Sequence, residues 1–305
     1  LQVFASFSLN TNSSVFSSAS SSESTCLNHN GRIVTYSKDG ISSIDTKGNI
    51  VWNETYQMQN PIVEVNGNAV AVGDYNGHVI YVMDEKGKVK FQDTISGDDL
   101  TAYQDVAVLK DGSIVAVGYT TSSNLVSDAE YKCKGTAEGL IVKYSKKGER
   151  EWIKLFGGSE TDEFYSVAAT PDGGFVVGGK AISSAGFFKS EKEGIKAFLI
   201  KFDKNCNVKW RRVLTGSMSN EFSDVSVNSN GDIYATCETV STDGDFAGIT
   251  YSSALTKNTV LVKLNKNGSL EWKKYLEGSG NSEYNTVYAT KDGGCVVGGS
   301  FTVKK

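Results

Sequence analysis

The phrase Asp/Asn/Ser-x-x-Gly/Cys-x-x-x-Trp/Phe occurs five times in this chain of 305 residues, at Asp45–Gly48–Trp52, Asp84–Gly87–Phe91, Ser145–Gly148–Trp152, Asp203–Cys206–Trp210 and Asn265–Gly268–Trp272. All four tryptophans occupy its last position. Self-similarity at a fixed spacing is the signature of stacked supersecondary units, each burying its apolar face on a neighbour. The chain must therefore fold as a repeat array.

A second phrase shows what is repeated. Asp-Gly-Gly-Phe-Val-Val-Gly-Gly at 172–179 returns as Asp-Gly-Gly-Cys-Val-Val-Gly-Gly at 292–299, with looser copies at 111–118 and 230–237. Asp-Gly or Asn-Gly between apolar runs supplies the positive φ of a tight hairpin turn. Before each turn lies a small-sided run (Asp105–Val108, Ser166–Ala169, Asp224–Val227, Thr286–Ala289), and after it an almost continuously apolar one. A third strand follows, such as 140–144 or 197–202, then the Asp-x-x-Gly turn and a fourth strand bearing the tryptophan. Four antiparallel strands repeated radially make a propeller blade. Small residues suit the crowded strands near the axis, and an aromatic fills the widening gap outside. No segment has capped helical periodicity, so almost no helix is expected.

Inner strand pairs number six, at about 23–37, 61–74, 103–120, 164–181, 222–239 and 284–302. Outer pairs carrying the tryptophan phrase number five. Leu9–Phe16 looks like a shortened copy of 264–272 with Phe16 in the tryptophan place. The spacing predicts one domain over 1–305, an all-β, six-bladed β-propeller with blades at about 20–57, 58–96, 97–157, 158–215, 216–277 and 278–305. N-terminal strands (about 1–19) complete the last blade by pairing with the C-terminal strands (about 284–302). Such closure hides both sheet edges.

The Asp-x-x-Gly-x-x-x-Trp phrase is similar to the tryptophan-docking repeat of quinoprotein-dehydrogenase-like propellers, which include outer-membrane assembly scaffolds of Gram-negative bacteria. Residues 101–305, with Asp-Gly-Gly-Phe-Val-Val-Gly-Gly and Gly-Gly-Ser-x-x-Asp-Glu-Phe, resemble propeller repeats of bacterial surface proteins and lipoproteins. Residues 32–91 resemble an uncharacterised family of membrane-anchored propellers from Gram-positive bacteria, through Ser37-Lys-Asp-Gly-Ile, Gln59-Asn-Pro-Ile-Val and Gly73-Asp-Tyr-Asn-Gly. These resemblances imply an extracytoplasmic location at the cell surface or on a membrane anchor. They do not imply an activity, because propellers host many.

Composition narrows the classes. A net charge of −4 lacks the basic footprint of a nucleic-acid binder. No apolar run is long enough to span a membrane. The start, Leu1-Gln2-Val3-Phe4, lacks a signal peptide's basic region. The expectation is a cytoplasmic protein or one whose leader or anchor lies outside this sequence. Five scattered cysteines (Cys26, Cys133, Cys206, Cys237, Cys295) and two distant histidines (His29, His78) form no zinc or disulfide pattern. The tryptophan phrase is a packing device, and no adjacent cysteine pair accompanies it, so a quinone cofactor is not expected. A sialidase Asp-box, Asp-x-Gly, fails on spacing. Histidine-based nucleophilic catalysis is poorly served by two histidines.

Three sets of residues remain as candidates. Glu163, Glu221 and Glu283 hold equivalent positions in Gly-Ser-x-x-(Asp/Asn/Ser)-Glu-(Phe/Tyr) before inner strands, at the expected channel mouth. They could ring it and attract a cation, or each could cap its own turn. Connections at about 120–139, 181–196 and 239–258 are long and Ser/Gly-rich, and long loops in compact repeats carry function. Their aromatics, Tyr119, Tyr131, Phe187, Phe188, Phe246 and Tyr251, suit a protein partner or saccharide stacking, or pin each loop to its blade. Asp243 and Asp245 offer a weak Ca²⁺ site lacking the 12-residue ligand pattern. The sequence thus predicts a monomeric, non-catalytic binding or scaffold propeller whose protein or glycan partner sits on the long-loop face of blades three to five. A carbohydrate-binding module is the first alternative. An enzyme using Glu163, Glu221 or Glu283 is the second.

Overall fold

A computed structural model describes residues 25–66, 69–125, 135–184, 186–188, 194–249, 257–276 and 282–301. Strand follows strand in up-and-down order. The first sheet is β1 (Thr25–His29), β2 (Arg32–Ser37), β3 (Gly40–Ile44) and β4 (Ile50–Thr55). The second is β5 (Pro61–Asn66), β6 (Ala69–Asp74), β7 (Val79–Asp84) and β8 (Val89–Thr94). The third is β9 (Thr101–Val108), β10 (Ile114–Thr120), β11 (Glu138–Tyr144) and β12 (Arg150–Phe156). β13 (Asp162–Ala169), β14 (Phe175–Ala181), β15 (Lys196–Phe202) and β16 (Val208–Leu214) form the fourth. β17 (Asn220–Val227), β18 (Ile233–Thr239), β19 (Asn258–Leu264) and β20 (Leu270–Leu276) form the fifth. A last pair, β21 (Ser282–Ala289) and β22 (Cys295–Phe301), stands as a two-stranded sheet. Two single-turn 3₁₀ segments, Gly186–Phe188 and Gly244–Phe246, are the helical elements among the described residues. Residues 1–19, with Phe16, lie outside the described residues, as do Tyr131 and Tyr251.

Core clusters lie between consecutive sheets, as the apolar faces of both sheets require. Ile80, Val82, Ala116 and Leu140 fill the gap between the second and third sheets. Phe164, Phe175, Phe198 and Phe202 of the fourth pack with Val115, Val117 and Ile141 of the third. The first strand of each sheet runs beside the first strand of the next, β5 against β9, β9 against β13, β13 against β17 and β17 against β21.

The recurrent phrase is explained atom by atom. Its first residue accepts two backbone N–H groups across the turn. Asp45 Oδ1 takes those of Lys47 (2.8 Å) and Asn49 (2.9 Å), and Asp203 Oδ1 takes those of Asn205 and Asn207 (both 2.9 Å). Ser145 and Asn265 repeat the pattern, which is why these short polar residues alternate there. Hydrogen bonds from Asn49 hold the exposed Asp45 carboxyl below its ordinary range. The aromatic at the end of the phrase lies on the turn glycine of the following sheet. Trp52 covers Gly87, Phe91 covers Gly148 and Trp210 covers Gly268. A Cβ on Gly268 would come within 2.6 Å of the Trp210 ring. The indole N–H then donates to a carbonyl in the same turn, Trp52 to Glu85 (2.9 Å) and Trp210 to Lys266 (3.2 Å). Cys206 takes the glycine place at φ 63°, a left-handed conformation costly for a side-chain-bearing residue.

This docking separates two glycine roles. Gly87 (φ 77°) is both left-handed and covered by Trp52, whereas Gly173 (φ 87°) has open space where its Cβ would be. Gly173→Ala should cost about 1 kcal/mol from backbone strain alone. Gly87→Ala should cost roughly 2–4 kcal/mol, because overpacking against the indole is added. Urea denaturation of both variants checks this; equal losses would mean the indole contact contributes nothing.

Candidate functional site

The inner strands face a channel, and each of the last four carries a β-bulge at the same place. The register breaks between Tyr103 and Asp105, between Phe164 and Ser166, between Phe222 and Asp224, and between Glu283 and Thr286. The residues left over are Gln104, Tyr165, Ser223 and, in the last strand, Tyr284 and Asn285. A bulge re-aims a side chain and bends its strand. It also presses a carbonyl against the partner strand, so a Cβ at Gly118, Gly179 or Gly299 would collide with backbone oxygen of Ala102, Glu163 or Glu283. Cys237 stands at this place in the fifth sheet, opposite Phe222. Its buried thiol is pushed well above its ordinary range by loss of solvent.

Immediately after each bulge lies a belt that joins sheet to sheet. Asp105 Oδ2 accepts the Val167 N–H (2.8 Å), and Asp224 Oδ2 accepts the Val287 N–H (2.7 Å) and the Thr286 hydroxyl (3.0 Å). Ser166 Oγ lies between Asp105 Oδ2 (3.0 Å) and Asp224 Oδ1 (2.8 Å), and accepts the Val225 N–H at 3.2 Å. One hydroxyl proton cannot serve two carboxylates, so a proton held by one aspartate completes the chain. Burial first, and Asp224 nearby, push Asp105 up to about 7. Burial raises Asp224 against the hydrogen bonds it accepts. Glu64, on β5, is pushed up by burial in the channel wall and by Asp105 and Asp224, though its side chain stays exposed to the channel, which moderates the effect.

Above the belt the predicted glutamates do converge on one rim, but lysines stand between them. Lys180 reaches Glu163 (3.0 Å) in its own sheet and Glu221 (3.8 Å) in the next. Lys257 reaches Glu238 (3.1 Å) and Glu283 (3.9 Å) in the same way. The Tyr165 hydroxyl donates to Glu163, and Lys180 lies over the Tyr165 ring. The expected ring of bare carboxylates, and equally the reading in which each caps its own turn, gives way to an arc of alternating charge crossing sheets. The sequence hid this because Lys180 and Lys257 lie outside the glutamate phrase.

The described ends of the long connections are pinned to the scaffold. Phe188 (1% exposed) packs on Phe198, and Phe246 is fully buried, so neither presents a stacking face; both expectations are corrected. Phe187 is half-buried, edge-on to Phe156 (4.9 Å) and beneath Arg211, whose guanidinium also donates to the Phe187 carbonyl (2.6 Å). A serine at the start of each loop accepts a backbone N–H from the connection leading into that sheet: Ser122 from Asp99, Ser183 from Glu160 and Ser241 from Met218. The calcium candidates serve the same end. Asp243 Oδ1 accepts the Ser217 N–H (2.8 Å) and Asp245 Oδ2 the Thr215 N–H (2.9 Å). The two carboxylates hold amides, and no group of three or more His, Cys, Asp or Glu side chains suited to a metal occurs among the described residues.

Rim and belt border an open cavity of about 590 Å³. Gln104, Tyr165, Ser223 and Asn285 line it from the bulges, Lys180, Glu221 and Glu238 from the rim, and Tyr75 from the second sheet. Of these the sequence singled out Glu221 alone. The overlooked signal was the residue between each strand's aromatic and its belt position, which differs in every repeat.

The belt predicts an unusual pH dependence. Asp105 binds its proton more tightly folded than unfolded, so its contribution to stability is full below about pH 4, the unfolded value, and is lost as pH rises through about 7. Asp105→Asn keeps the acceptor oxygen and should flatten the decline in unfolding free energy between pH 5 and 8 by on the order of 2 kcal/mol. An unchanged slope would remove Asp105 from the belt's titration.

Comparison with known proteins adds the fold. A family described as "Family of unknown function (DUF5711)" matches residues 2–124. No curated protein matches the sequence. Among solved structures, Hsv2 of Kluyveromyces lactis is 11% identical over 90% of this chain and 71% of its own, with a TM-score of 0.50. A protein of unknown function from Bacteroides caccae is 15% identical over 83% of this chain and 82% of its own, at 0.44. BamB of Moraxella catarrhalis is 14% identical over 91% and 72%, at 0.43. Among the described residues no helix is long and apolar enough to cross a membrane. With its consecutive antiparallel sheets and the likeness to Hsv2, the chain has an all-β, propeller-like fold.

Proposed function

We propose that the chain is a six-bladed propeller acting as a non-catalytic interaction module, with a protein partner on the long-loop face of the third to fifth sheets. The observation that carries this reading is the pinning of the loops. Buried Phe188 and Phe246, the serine caps, and Asp243 and Asp245 hold two of the loop bases in fixed form on one side. A preorganised face loses little entropy when a partner docks, which is how modest contact area becomes affinity. The rim carboxylates an enzyme would need are paired with Lys180 and Lys257, so they shape the mouth rather than stand ready as acid and base. The resemblance to bacterial surface propellers supports an extracytoplasmic location.

Affinity capture from bacterial envelope and host extracts, with the full chain as bait, tests the face. Exchanging residues 189–193 and 250–256 for Gly/Ser of equal length leaves the pins in place and should abolish capture. Capture at the original level by that variant would overturn the reading.

Ring closure belongs to the same proposal. Among the described residues five sheets have four strands and the last has two, with Tyr288 and Val296 exposed on it. Residues 1–19 would supply the missing outer strands, with Phe16 docking as the other aromatics do. Deleting residues 1–19 should lower the melting temperature by 10 °C or more, on the order of 3–5 kcal/mol. An unchanged melt would leave the last blade unclosed by this segment.

A further inference from the structure

We infer that the cavity at the channel mouth binds a neutral polyhydroxylated small molecule, a sugar residue or short saccharide. Its volume of about 590 Å³ falls in the range of small-molecule sites and exceeds what one sugar ring needs. Its chemistry is specific. The bulges turn two amides (Gln104, Asn285) and two hydroxyls (Tyr165, Ser223) toward the same space. Tyr165 gives its proton to Glu163 and Ser223 bonds Thr236 (3.0 Å to its hydroxyl), so these two offer acceptor oxygens to a sugar hydroxyl, whereas the Gln104 and Asn285 amides can both donate and accept. Tyr75, 40% exposed, brings an aromatic to the wall from the neighbouring sheet, where the C–H face of a pyranose can lie.

Charge on the wall argues for neutrality of the ligand. An anion would meet Glu221, Glu238, Asp105 and Asp224. A cation would compete with Lys180 and Lys257, which already neighbour the rim glutamates. A paired Lys180 and Glu221 instead offer a donor and an acceptor side by side, which suits adjacent hydroxyls. Gln104 is held for the task, since it is 5% exposed and its amide donates to Asn76 Oδ1 at 2.6 Å. The floor is rigid because the belt residues beneath are bonded to one another. The site also has the variation expected of one. Belt residues are confined to hydrogen-bonding types by their task, whereas the bulge residues above them differ in every sheet.

This inference does not rest on the protein-partner reading, because the loop exchange leaves the channel untouched. Saturation-transfer NMR and calorimetry on the full chain should use glucose, galactose, mannose, N-acetylglucosamine and their disaccharides, with glucuronate and glucosamine as charged controls and a glycan array for breadth. At least one neutral saccharide should bind. Tyr75→Ala and Asn285→Ala should each weaken it about tenfold or more, with melting temperature unchanged, and Lys146→Ala in the turn at 145–148 should have no effect. Should one variant unfold, the other still decides. Binding only of charged sugars, neutral binding insensitive to both variants, or no binding by any neutral member overturns the inference.

Discussion

Among the described residues, neighbouring sheets meet through isolated bridges rather than a backbone ladder, so side chains carry much of the task of fixing the height of one inner strand against the next. The Asp105–Ser166–Asp224–Thr286 belt does this for the third sheet onward. Each aspartate spans a gap of some 60 residues of sequence by accepting an N–H from the following sheet. A hydrogen bond to a charged or partly charged acceptor is worth roughly 1.5–3 kcal/mol, more than a neutral one, and it is directional. Apolar packing between sheets is strong but tolerates sliding. The belt supplies the register that lets bulge residues from four sheets meet at one level.

The outer ends of the sheets are fixed differently. There the gap between sheets is wide, and an aromatic from one sheet closes it by lying on a glycine of the next. Between the fourth and fifth sheets the inner belt and the docked Trp210 lock the pair at two radii, which restrains both sliding and rotation. The phrase that repeats along the chain is thus half of the fastening. Its other half is the small-residue run of the inner strands, where Asp105, Ser166, Asp224 and Thr286 open the four copies.

What could be read from the sequence follows from this division. The strand order, the Asp-Gly turns and the aromatic docking are local or repeated, and four copies of the turn phrase and five of the aromatic phrase expose them. Phe188 and Phe246 look like binding aromatics in the sequence because a loop aromatic has the same identity whether it points out or in. Their burial depends on Gly186 and Gly244 turning the chain back toward the preceding connection, a tertiary fact. Asp243 and Asp245 misled for the same reason: carboxylates that hold backbone amides and carboxylates that hold calcium are alike in one dimension. The lysines between the glutamates were invisible because they come from different strands, and in the case of Lys257 from a long loop.

The bulges reconcile repetition with a site. A propeller built from matching units would line its channel with one side chain repeated around the axis, which favours an ion or nothing. Inserting one residue at the same point in consecutive inner strands, with a glycine opposite to make room, frees that residue from the ladder and from the core. It bears no hydrogen-bonding duty to the next sheet, so Gln, Tyr, Ser and Asn can stand there without disturbing the belt one residue on. Cys237 shows that the opposing position will accept a small buried thiol while the bulge itself is retained. Chemical variety is thereby placed where the fold least constrains it, directly above the feature the fold constrains most.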